Sequence, residues 1–305
     1  MRLKIKTLGV ILVTLILLGL VMGCGRNLTS GGGWGGGIVA EDKLYFGTPD
    51  GKIVAVDAAN GAIEWIFAPE DAQALKVIYS SPVYASEVSW EGDNLDFVYV
   101  NGYSQKGNDK EEYQGTIYAL FANPKSRDGK VAWMHTVEGE IVSAPIIVDD
   151  LILIGTSAGH LYAMRYGEIP NGESRVIWKY PKNGAVGKIW GSPTIYKDVV
   201  YFGSMDHHVY ALSLDNGREL WRFKANGAIV GRPLVLGGRV YVGSLDRNFY
   251  ALDSEAGQIV WSFKGDNWFW AGPTYHEGHI YAASMGGNVY DVDPKTGSQS
   301  VLFEA

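Results

Sequence analysis

Cysteine, basic charge and helical periodicity are all scarce in this sequence. Cys24 is the one cysteine in 305 residues, so the chain cannot form an internal disulfide. The formal net charge is −7, from 26 basic and 33 acidic residues, and no basic run interrupts this balance. An acidic chain of this kind is a poor binder of nucleic acid. Between residues 34 and 305 no segment has a convincing helical period, which favours an all-β domain.

The first 23 residues have the pattern of an export signal. Three basic residues precede an uncharged apolar stretch from Leu8 to Val21. This stretch is shorter than the roughly 20 apolar residues that a membrane span needs, and its flanks are those of a secretory signal. Residues 21–24, Val-Met-Gly-Cys, resemble the bacterial lipoprotein box. That resemblance implies a lipid on Cys24, which would anchor the chain to a membrane of the cell envelope on its extracytoplasmic face.

A short tether follows the predicted lipidation site. Residues 24–33 are rich in glycine and serine, which give the backbone little preferred conformation. The alternative for this end of the chain is an ordinary secreted protein with an unmodified thiol. Whether the membrane is the inner or the outer one stays open.

The remaining residues, 34–305, repeat one pattern about every 40 positions. Each copy has a short apolar strand that ends in glycine or a similar residue, then a small residue, then an aromatic position. The aromatic position comes ten residues after the small one, or slightly later where the second and third copies carry short insertions. Successive aromatic positions are 68, 45, 43, 40 and 40 residues apart, and Val301 takes the sixth. The first five are occupied by Trp65, Trp133, Trp178, Trp221 and Trp261.

Each copy is predicted to form four short strands. In the fifth copy, apolar or alternating runs are separated by turns rich in glycine and aspartate, as in residues 232–236, 239–244, 248–253 and 258–263. A single four-stranded meander cannot bury both of its faces, so consecutive copies must pack face to face around an axis. The sequence therefore predicts a six-bladed β-propeller of four-stranded antiparallel blades over residues 34–305.

The repeat resembles the PQQ-type propeller family, whose motif is Ala-x-Asp-x-x-x-Gly-x-x-x-Trp. Two copies match it fully, at Ala55, Asp57, Gly61, Trp65 and at Ala251, Asp253, Gly257, Trp261. The Gly-His and Trp-Asp markers of WD40 propellers are absent. The aspartate can accept backbone hydrogen bonds in a turn that the glycine closes with a positive φ. The resemblance implies that the five repeat tryptophans are structural and dock against the neighbouring blade.

The sequence alone does not decide whether the first and last blades close the ring. The copies run in one frame without a leftover strand, so closure would depend on packing between the first and last blades. Val301 offers a neighbour less surface than a tryptophan does. The alternative is a distorted ring, or an open array that another subunit completes.

The segments that lead into the first strand of each blade are the expected lining of the axial channel. Aromatic and charged side chains at matched positions there suggest a grip on a planar or anionic ligand. The candidate residues are Trp34, Tyr79, Glu140, Lys188, Trp190, Arg232, Trp268 and Trp270. The alternative is that the aromatic side chains plug the axis while the charged ones pair with each other.

Other polar clusters suggest no site. The His-Glu-Gly-His run at residues 276–279 is predicted on a hairpin turn, so it lacks the helical geometry of a zinc protease, and no metal site is expected. The charged insertion between Tyr103 and Gly115 is expected to be a solvated loop that can touch a partner.

Quinoprotein dehydrogenases share this repeat, so the resemblance also raises an enzymatic hypothesis. Those enzymes hold their cofactor beneath a disulfide of adjacent cysteines, together with calcium, and this chain has neither a cysteine pair nor a matching acidic set. We therefore expect no cofactor and no catalysis. The leading hypothesis is an interaction or assembly scaffold with envelope-protein partners, similar to the propeller lipoproteins that assist outer-membrane barrel assembly. A ligand-binding sensor and a small quinoprotein oxidoreductase are the alternatives.

Overall fold

The computed structural model describes residues 36–48, 50–69, 78–105, 113–123, 127–170 and 172–303, with Gln105 by its backbone alone. Within these ranges there are 24 strands and no helix. Accordingly, these parts of the chain contain no helical segment that is long and apolar enough to cross a membrane. The predicted signal (1–23), the tether (24–33), Cys24 and Trp34 lie outside the described residues.

The strands form six sheets of four, each with its strands in chain order or its reverse, so that every sheet is an antiparallel meander. Sheets 1 to 3 consist of β1 Ile38–Ala40, β2 Lys43–Gly47, β3 Ile53–Asp57, β4 Ile63–Phe67; β5 Val83–Trp90, β6 Asp93–Gln105, β7 Tyr113–Phe121, β8 Val131–Glu138; and β9 Ile146–Val148, β10 Leu151–Gly155, β11 Leu161–Arg165, β12 Val176–Tyr180.

Sheets 4 to 6 repeat the arrangement with more regular lengths. They consist of β13 Thr194–Tyr196, β14 Val199–Gly203, β15 His208–Ser213, β16 Glu219–Lys224; β17 Leu234–Leu236, β18 Arg239–Gly243, β19 Asn248–Asp253, β20 Ile259–Lys264; and β21 Thr274–His276, β22 His279–Ala283, β23 Val289–Val292, β24 Gln299–Phe303. This topology confirms the prediction of a six-bladed all-β propeller with four-stranded antiparallel blades.

The insertion in the second copy differs from its prediction as a loop. Strands β6 and β7 extend into it and pair as far as Gln105 and Tyr113. Cross-strand partners are in register along this hairpin, which places Tyr103 opposite Gly115. Only residues 106–112, at its tip, lie outside the described residues. The extension occurs because aromatic and polar side chains alternate into the insertion and can continue a ladder of two strands.

The core is divided into clusters that each join two consecutive sheets. One cluster of buried side chains links sheets 1 and 2, and four more link 2 to 3, 3 to 4, 4 to 5 and 5 to 6. We call each of these inter-sheet packings a seam. In every seam, the tyrosine or leucine of strand two and the alanine of strand three point toward the following sheet.

Each repeat tryptophan lies at a seam. Trp178 packs against Gly217 of the next sheet, where an added Cβ would be 2.7 Å from the indole Cε3. Its Nε1–H donates a hydrogen bond of 2.7 Å to the carbonyl oxygen of Leu214. Trp65, Trp221 and Trp261 contact Gly129, Gly257 and Gly297 in the same way. The third copy lacks the glycine, and there the guanidinium of Arg175 lies 3.9 Å from the centre of the Trp133 ring.

The aspartate of the motif builds the turn that carries this glycine. The Asp253 carboxylate accepts hydrogen bonds from the backbone N–H groups of Glu255 and Ala256, at 2.9 and 2.8 Å. The Gly257 N–H then donates to the Asp253 carbonyl oxygen at 2.9 Å. Gly257 has a φ of +69°, which residues with a side chain seldom adopt. The turn thus presents a flat backbone on which the neighbouring indole can lie.

A second repeated aspartate stabilises the turn between strands two and three. The Tyr250 hydroxyl donates to Asp246 Oδ2 at 2.7 Å, and the Tyr210 hydroxyl donates to Asp206 Oδ2 at 2.6 Å. Burial raises the pKa of Asp246, but hydrogen bonds from Tyr250 and from backbone N–H groups outweigh it, so the pKa lies below its usual value. The pKa of Asp206 is lowered for the same reasons.

These lowered pKa values predict an acid-sensitive fold. An aspartate in the unfolded chain titrates near about pH 3.9, so the stabilisation is complete above that pH and is lost as the pH falls through the lower folded-state pKa. We expect the Asp206→Asn/Asp246→Asn double variant to lose less of its unfolding free energy than the wild type does between about pH 5 and about pH 2. Urea denaturation across this range measures both slopes; parallel curves would contradict the prediction.

Candidate functional site

The residues predicted to line the channel flank buried anchors in the lead-in segments. Ile189 is fully buried between Lys188 and Trp190, and it sits against Gly155 of the preceding sheet, where an added Cβ would be 2.5 Å from its Cγ2. Because side chains of an extended segment alternate, Lys188 and Trp190 point away from the seam. We call the edge formed by the first strands and their lead-in segments the inner edge.

Two of the predicted tryptophans meet at the inner edge. The ring centroids of Trp190 and Trp270 are 5.8 Å apart with a 53° interplanar angle, although sheet 5 lies between their sheets in the chain. Trp270 remains 45% exposed, so one side of this pair faces solvent. Arg232, in the intervening lead-in segment, is also exposed, and its Nε donates to Thr194 Oγ1 at 3.0 Å. These three residues form a partly open aromatic and basic surface.

The predicted Tyr79 belongs to a second aromatic group. Its ring stacks on Tyr103 with centroids 5.8 Å apart, and Tyr103 contacts Tyr113 edge to face at 5.5 Å. Burial raises the pKa of Tyr103 above its usual value, and the hydrogen bond to Tyr79 and the charge of Glu140 raise it further. The Tyr103 hydroxyl is thus engaged with Tyr79 inside this aromatic group.

A cavity of about 710 Å³ adjoins this tyrosine group between sheets 2 and 3. The predicted residues Glu140 and Lys188 both line it, together with Tyr113, Glu138 and Ser157. The Ser157 hydroxyl oxygen accepts a hydrogen bond of 2.8 Å from the Glu140 backbone N–H, which fixes the acidic wall. The cavity combines carboxylates, an ammonium and a phenol on one wet surface.

A buried histidine next to Glu138 has a lowered pKa and stays neutral near pH 7. His160 Nε2 lies 3.5 Å from Glu138 Oε2, and Lys179 Nζ lies 4.0 Å from the same oxygen. Burial lowers the pKa of His160 and the charge of Lys179 lowers it further, while Glu138 only partly opposes them. Glu138 thus reaches the cavity with Lys179 and His160 beside its carboxylate.

The predicted residues therefore separate into two groups along the inner edge. The first group comprises Tyr79, which belongs to the tyrosine group, and Glu140 and Lys188, which line the adjoining cavity. The second comprises Trp190, Arg232 and Trp270, which form the other surface. Trp268 is 48% exposed and joins no aromatic pair among the described residues. Sequence reasoning missed Tyr103, Tyr113 and Glu138. The alternation of aromatic side chains on either side of the insertion was the signal that could have found the two tyrosines.

The histidines at the last hairpin do not gather a metal-ligating set. His276 and His279 are both exposed, and His279 Nδ1 lies 2.7 Å from Asp291 Oδ1. Across the described ranges there is no group of three or more histidine, cysteine and acidic residues that could hold a metal ion.

Comparison with known proteins identifies the repeat. A family model described as outer membrane protein assembly factor BamB matches residues 170–301, which cover sheets 4 to 6 and carry the glycine and tryptophan spacing described above. The chain is built from PQQ-type propeller repeats. The model matches less than half of the 305 residues, and sheets 1 to 3 continue the same strand order outside it.

Curated relatives match parts of this chain. BamB of Legionella pneumophila is 38% identical over 92 residues, and BamB of Yersinia pestis is 27% identical over 111 residues. A tetrathionate hydrolase of Acidithiobacillus ferrooxidans is 28% identical over 199 residues, or 62% of this chain. The matched segments span 23%, 26% and 37% of these relatives, so the chain corresponds to well under two thirds of each.

A solved structure supports the fold. The crystal structure of BamB from Moraxella catarrhalis superposes with a TM-score of 0.62, covering 89% of this chain and 73% of that one, at 19% identity. At this identity the similarity concerns the propeller fold alone.

Proposed function

We propose that this chain is a non-catalytic scaffold for protein assembly, anchored by a lipid on Cys24 to the extracytoplasmic face of an envelope membrane. The partial similarity to two BamB proteins, which are named as outer membrane protein assembly factors, supports the scaffold role. The export signal and lipoprotein box at residues 1–24 support the location. Envelope proteins are the proposed partners.

The observation that carries the proposal is the tyrosine-edged cavity at the inner edge. Tyrosines that expose both a ring and a hydroxyl are enriched where proteins bind one another, since they bury apolar area and keep a polar contact. Here Tyr113 lines the cavity together with carboxylate and ammonium groups, and it contacts Tyr103, which stacks on Tyr79. Such a surface suits a polypeptide segment that carries both apolar and charged side chains.

In-cell photocrosslinking tests this surface directly. A photoreactive residue at Gln114, which lines the cavity, should capture the same few envelope proteins in repeated experiments. The matched control places it at Met134, which is 62% exposed on the outer strand of the same sheet. Adding Glu140→Lys should abolish capture at Gln114. Equal capture at both positions, or capture that Glu140→Lys does not change, would contradict the proposal.

Anchoring gives a separate prediction. Cys24→Ala removes the only thiol that can accept a lipid, so the protein should move from the membrane fraction to the soluble extracytoplasmic fraction. Fractionation and immunoblotting measure this distribution, with wild type as the reference. Retention of the variant in the membrane fraction would show that another feature anchors the chain.

The Trp190 and Trp270 pair favours one further candidate, a sensor or substrate-binding lipoprotein. Two indoles 5.8 Å apart beside Arg232 could hold a sugar face or a planar anion. Thermal-shift measurements against sugars and anions should then show stabilisation that Trp190→Ala and Arg232→Ala both remove. Absence of any stabilising ligand would exclude this candidate.

The match to a tetrathionate hydrolase keeps an enzymatic alternative testable. Incubation with pyrroloquinoline quinone and calcium, followed by dye reduction with alcohols and sugars, covers the quinoprotein reaction. We expect no turnover above the protein-free control.

A further inference from the structure

The six sheets are joined by only five seams among the described residues. Within those ranges, no core cluster joins sheet 6 to sheet 1. The missing seam changes the burial of the second strand of sheet 1. In sheets 2 to 6, the residues of the second strand that face the preceding sheet are at most 2% exposed, as at Val200 and Ile280. The equivalent Leu44 and Phe46 of sheet 1 are only partly buried.

The face of sheet 1 that points away from sheet 2 is largely apolar. In addition to Leu44 and Phe46 it includes Val39, which is 68% exposed, as well as Val54, which is 7% exposed, Val56 and Ile66. The position of Val56 is held by Leu120, Met164, Leu212, Leu252 and Val292 in the other sheets, all of them fully buried. An end sheet of a repeat array ordinarily presents a polar outer face to water. Sheet 1 therefore has the surface of an internal sheet.

An empty binding site for an indole lies on this sheet. In sheets 4, 5 and 6 the preceding tryptophan lies on the motif glycine, and its Nε1–H donates to the carbonyl oxygen three residues earlier. We call this glycine and carbonyl the indole socket; in sheet 1 it consists of Gly61 and the Ala58 carbonyl. No atom of the described residues lies within 4 Å of a Cβ built on Gly61.

The socket of sheet 1 is already formed. The Asp57 carboxylate accepts the N–H groups of Ala59 and Asn60 at 2.8 and 3.0 Å, and Gly61 N–H donates to the Asp57 carbonyl oxygen at 2.8 Å. The filled socket at Gly257 has the same bonds within about 0.2 Å. Gly61 has a φ of +76° against +69° at Gly257. Filling the socket therefore requires no rearrangement of the turn.

The chain's own last sheet does not match the socket. Val301 takes the tryptophan's place in the sequence, but in the structure it pairs with Tyr290, and Ser300 lies opposite Asp291. Asp291 replaces an alanine that is fully buried in the other five sheets. Asp291 is instead in contact with the exposed His279, so this face is polar. Docking sheet 6 on sheet 1 would remove the Asp291 and His279 pair from water against an apolar face, and this desolvation is costly even for paired polar groups.

We propose that sheet 1 is the docking site for a sheet of a partner polypeptide, which places a tryptophan on Gly61 and a tyrosine hydroxyl on the Ala58 carbonyl. The filled seams define this chemistry: in four of them a tryptophan lies on the motif glycine of the next sheet. In three seams a tyrosine hydroxyl joins the indole at the same carbonyl, as Tyr201 does at Ser254. The surface is separate from the tyrosine-edged cavity, so its failure leaves the proposed scaffold function untouched.

A donor and acceptor pair of chains tests the socket. The donor carries Asp291→Ala and Ser300→Trp, which place a tryptophan opposite an alanine as in sheet 5, beside its own Tyr281. It also carries Gly61→Asn, which fills its own socket. Asparagine tolerates a positive φ, so this change blocks the site with little strain. The acceptor is the wild-type chain. Sedimentation velocity measures the mass of each chain alone and of the mixture.

We expect a one-to-one complex in the mixture and monomers in each separate sample. Gly61→Asn in the acceptor should weaken binding by about 5- to 150-fold, because overpacking a contact of this kind costs about 1–3 kcal/mol. The proposal is overturned if no complex forms or if the acceptor variant binds as well as wild type. It is also overturned if wild type alone forms a stable dimer that Val39→Lys dissociates, since a second copy would then cover this face.

Discussion

Replacing Trp178 by alanine is expected to reduce the free energy of unfolding by about 3–5 kcal/mol, because a large buried side chain and its hydrogen bond are both lost. Trp178 is 6% exposed and belongs to the core cluster between sheets 3 and 4. The change removes the indole from Gly217 and leaves the Leu214 carbonyl without its hydrogen bond of 2.7 Å. Urea denaturation, monitored by far-ultraviolet circular dichroism, measures the loss.

Trp268→Ala is the matched control for this prediction. Its indole is 48% exposed and lies at no seam among the described residues, so its removal should cost less than about 1 kcal/mol. If the two alanine variants lost similar stability, the repeat tryptophans would not be the structural elements that join the sheets.

Gly257→Ala should destabilise the fold considerably more than Gly61→Ala does. Both glycines close the same aspartate turn with a positive φ, so each substitution carries about 1–2 kcal/mol of backbone strain. At Gly257 the new methyl would also lie 2.5 Å from Trp221 Cε3, whereas at Gly61 it meets open space. Relieving that overlap adds about 1–3 kcal/mol.

The comparison is informative because backbone strain cancels between the two variants. Parallel urea denaturation of both, with wild type as the reference, isolates the cost of the indole contact. An equal loss at Gly61 and Gly257 would mean that the socket of sheet 1 is also filled, in conflict with an uncovered first sheet.

The repeat could be predicted from the sequence because each of its parts acts locally. Asp57 and Gly61 form a turn within one hairpin, and the position of Trp65 ten residues after Ala55 follows from strand length. Six copies at a regular spacing then require six sheets. The uncovered face of the first sheet was harder to predict, because Val301 and Asp291 show only that the last copy differs from the others. Whether another element compensates depends on packing between distant residues.

The candidate site was predicted only in part for a related reason. Matched positions in the lead-in segments identified Tyr79, Glu140 and Lys188, since alternation around a buried anchor places them at the inner edge. Periodicity does not say which of these positions face one another across sheets. The contact of Trp190 with Trp270, and the arrival of Tyr103 and Tyr113 from an extended hairpin, depend on three-dimensional packing.

An experimental structure of residues 24–305 at side-chain resolution tests the central claim most directly. We predict six four-stranded sheets joined by five seams, with Trp65, Trp178, Trp221 and Trp261 lying on the glycines of the following sheet and with Gly61 uncovered in the isolated chain. Helices within residues 36–303, a different number of sheets, or Leu44 and Phe46 buried against sheet 6 would contradict it.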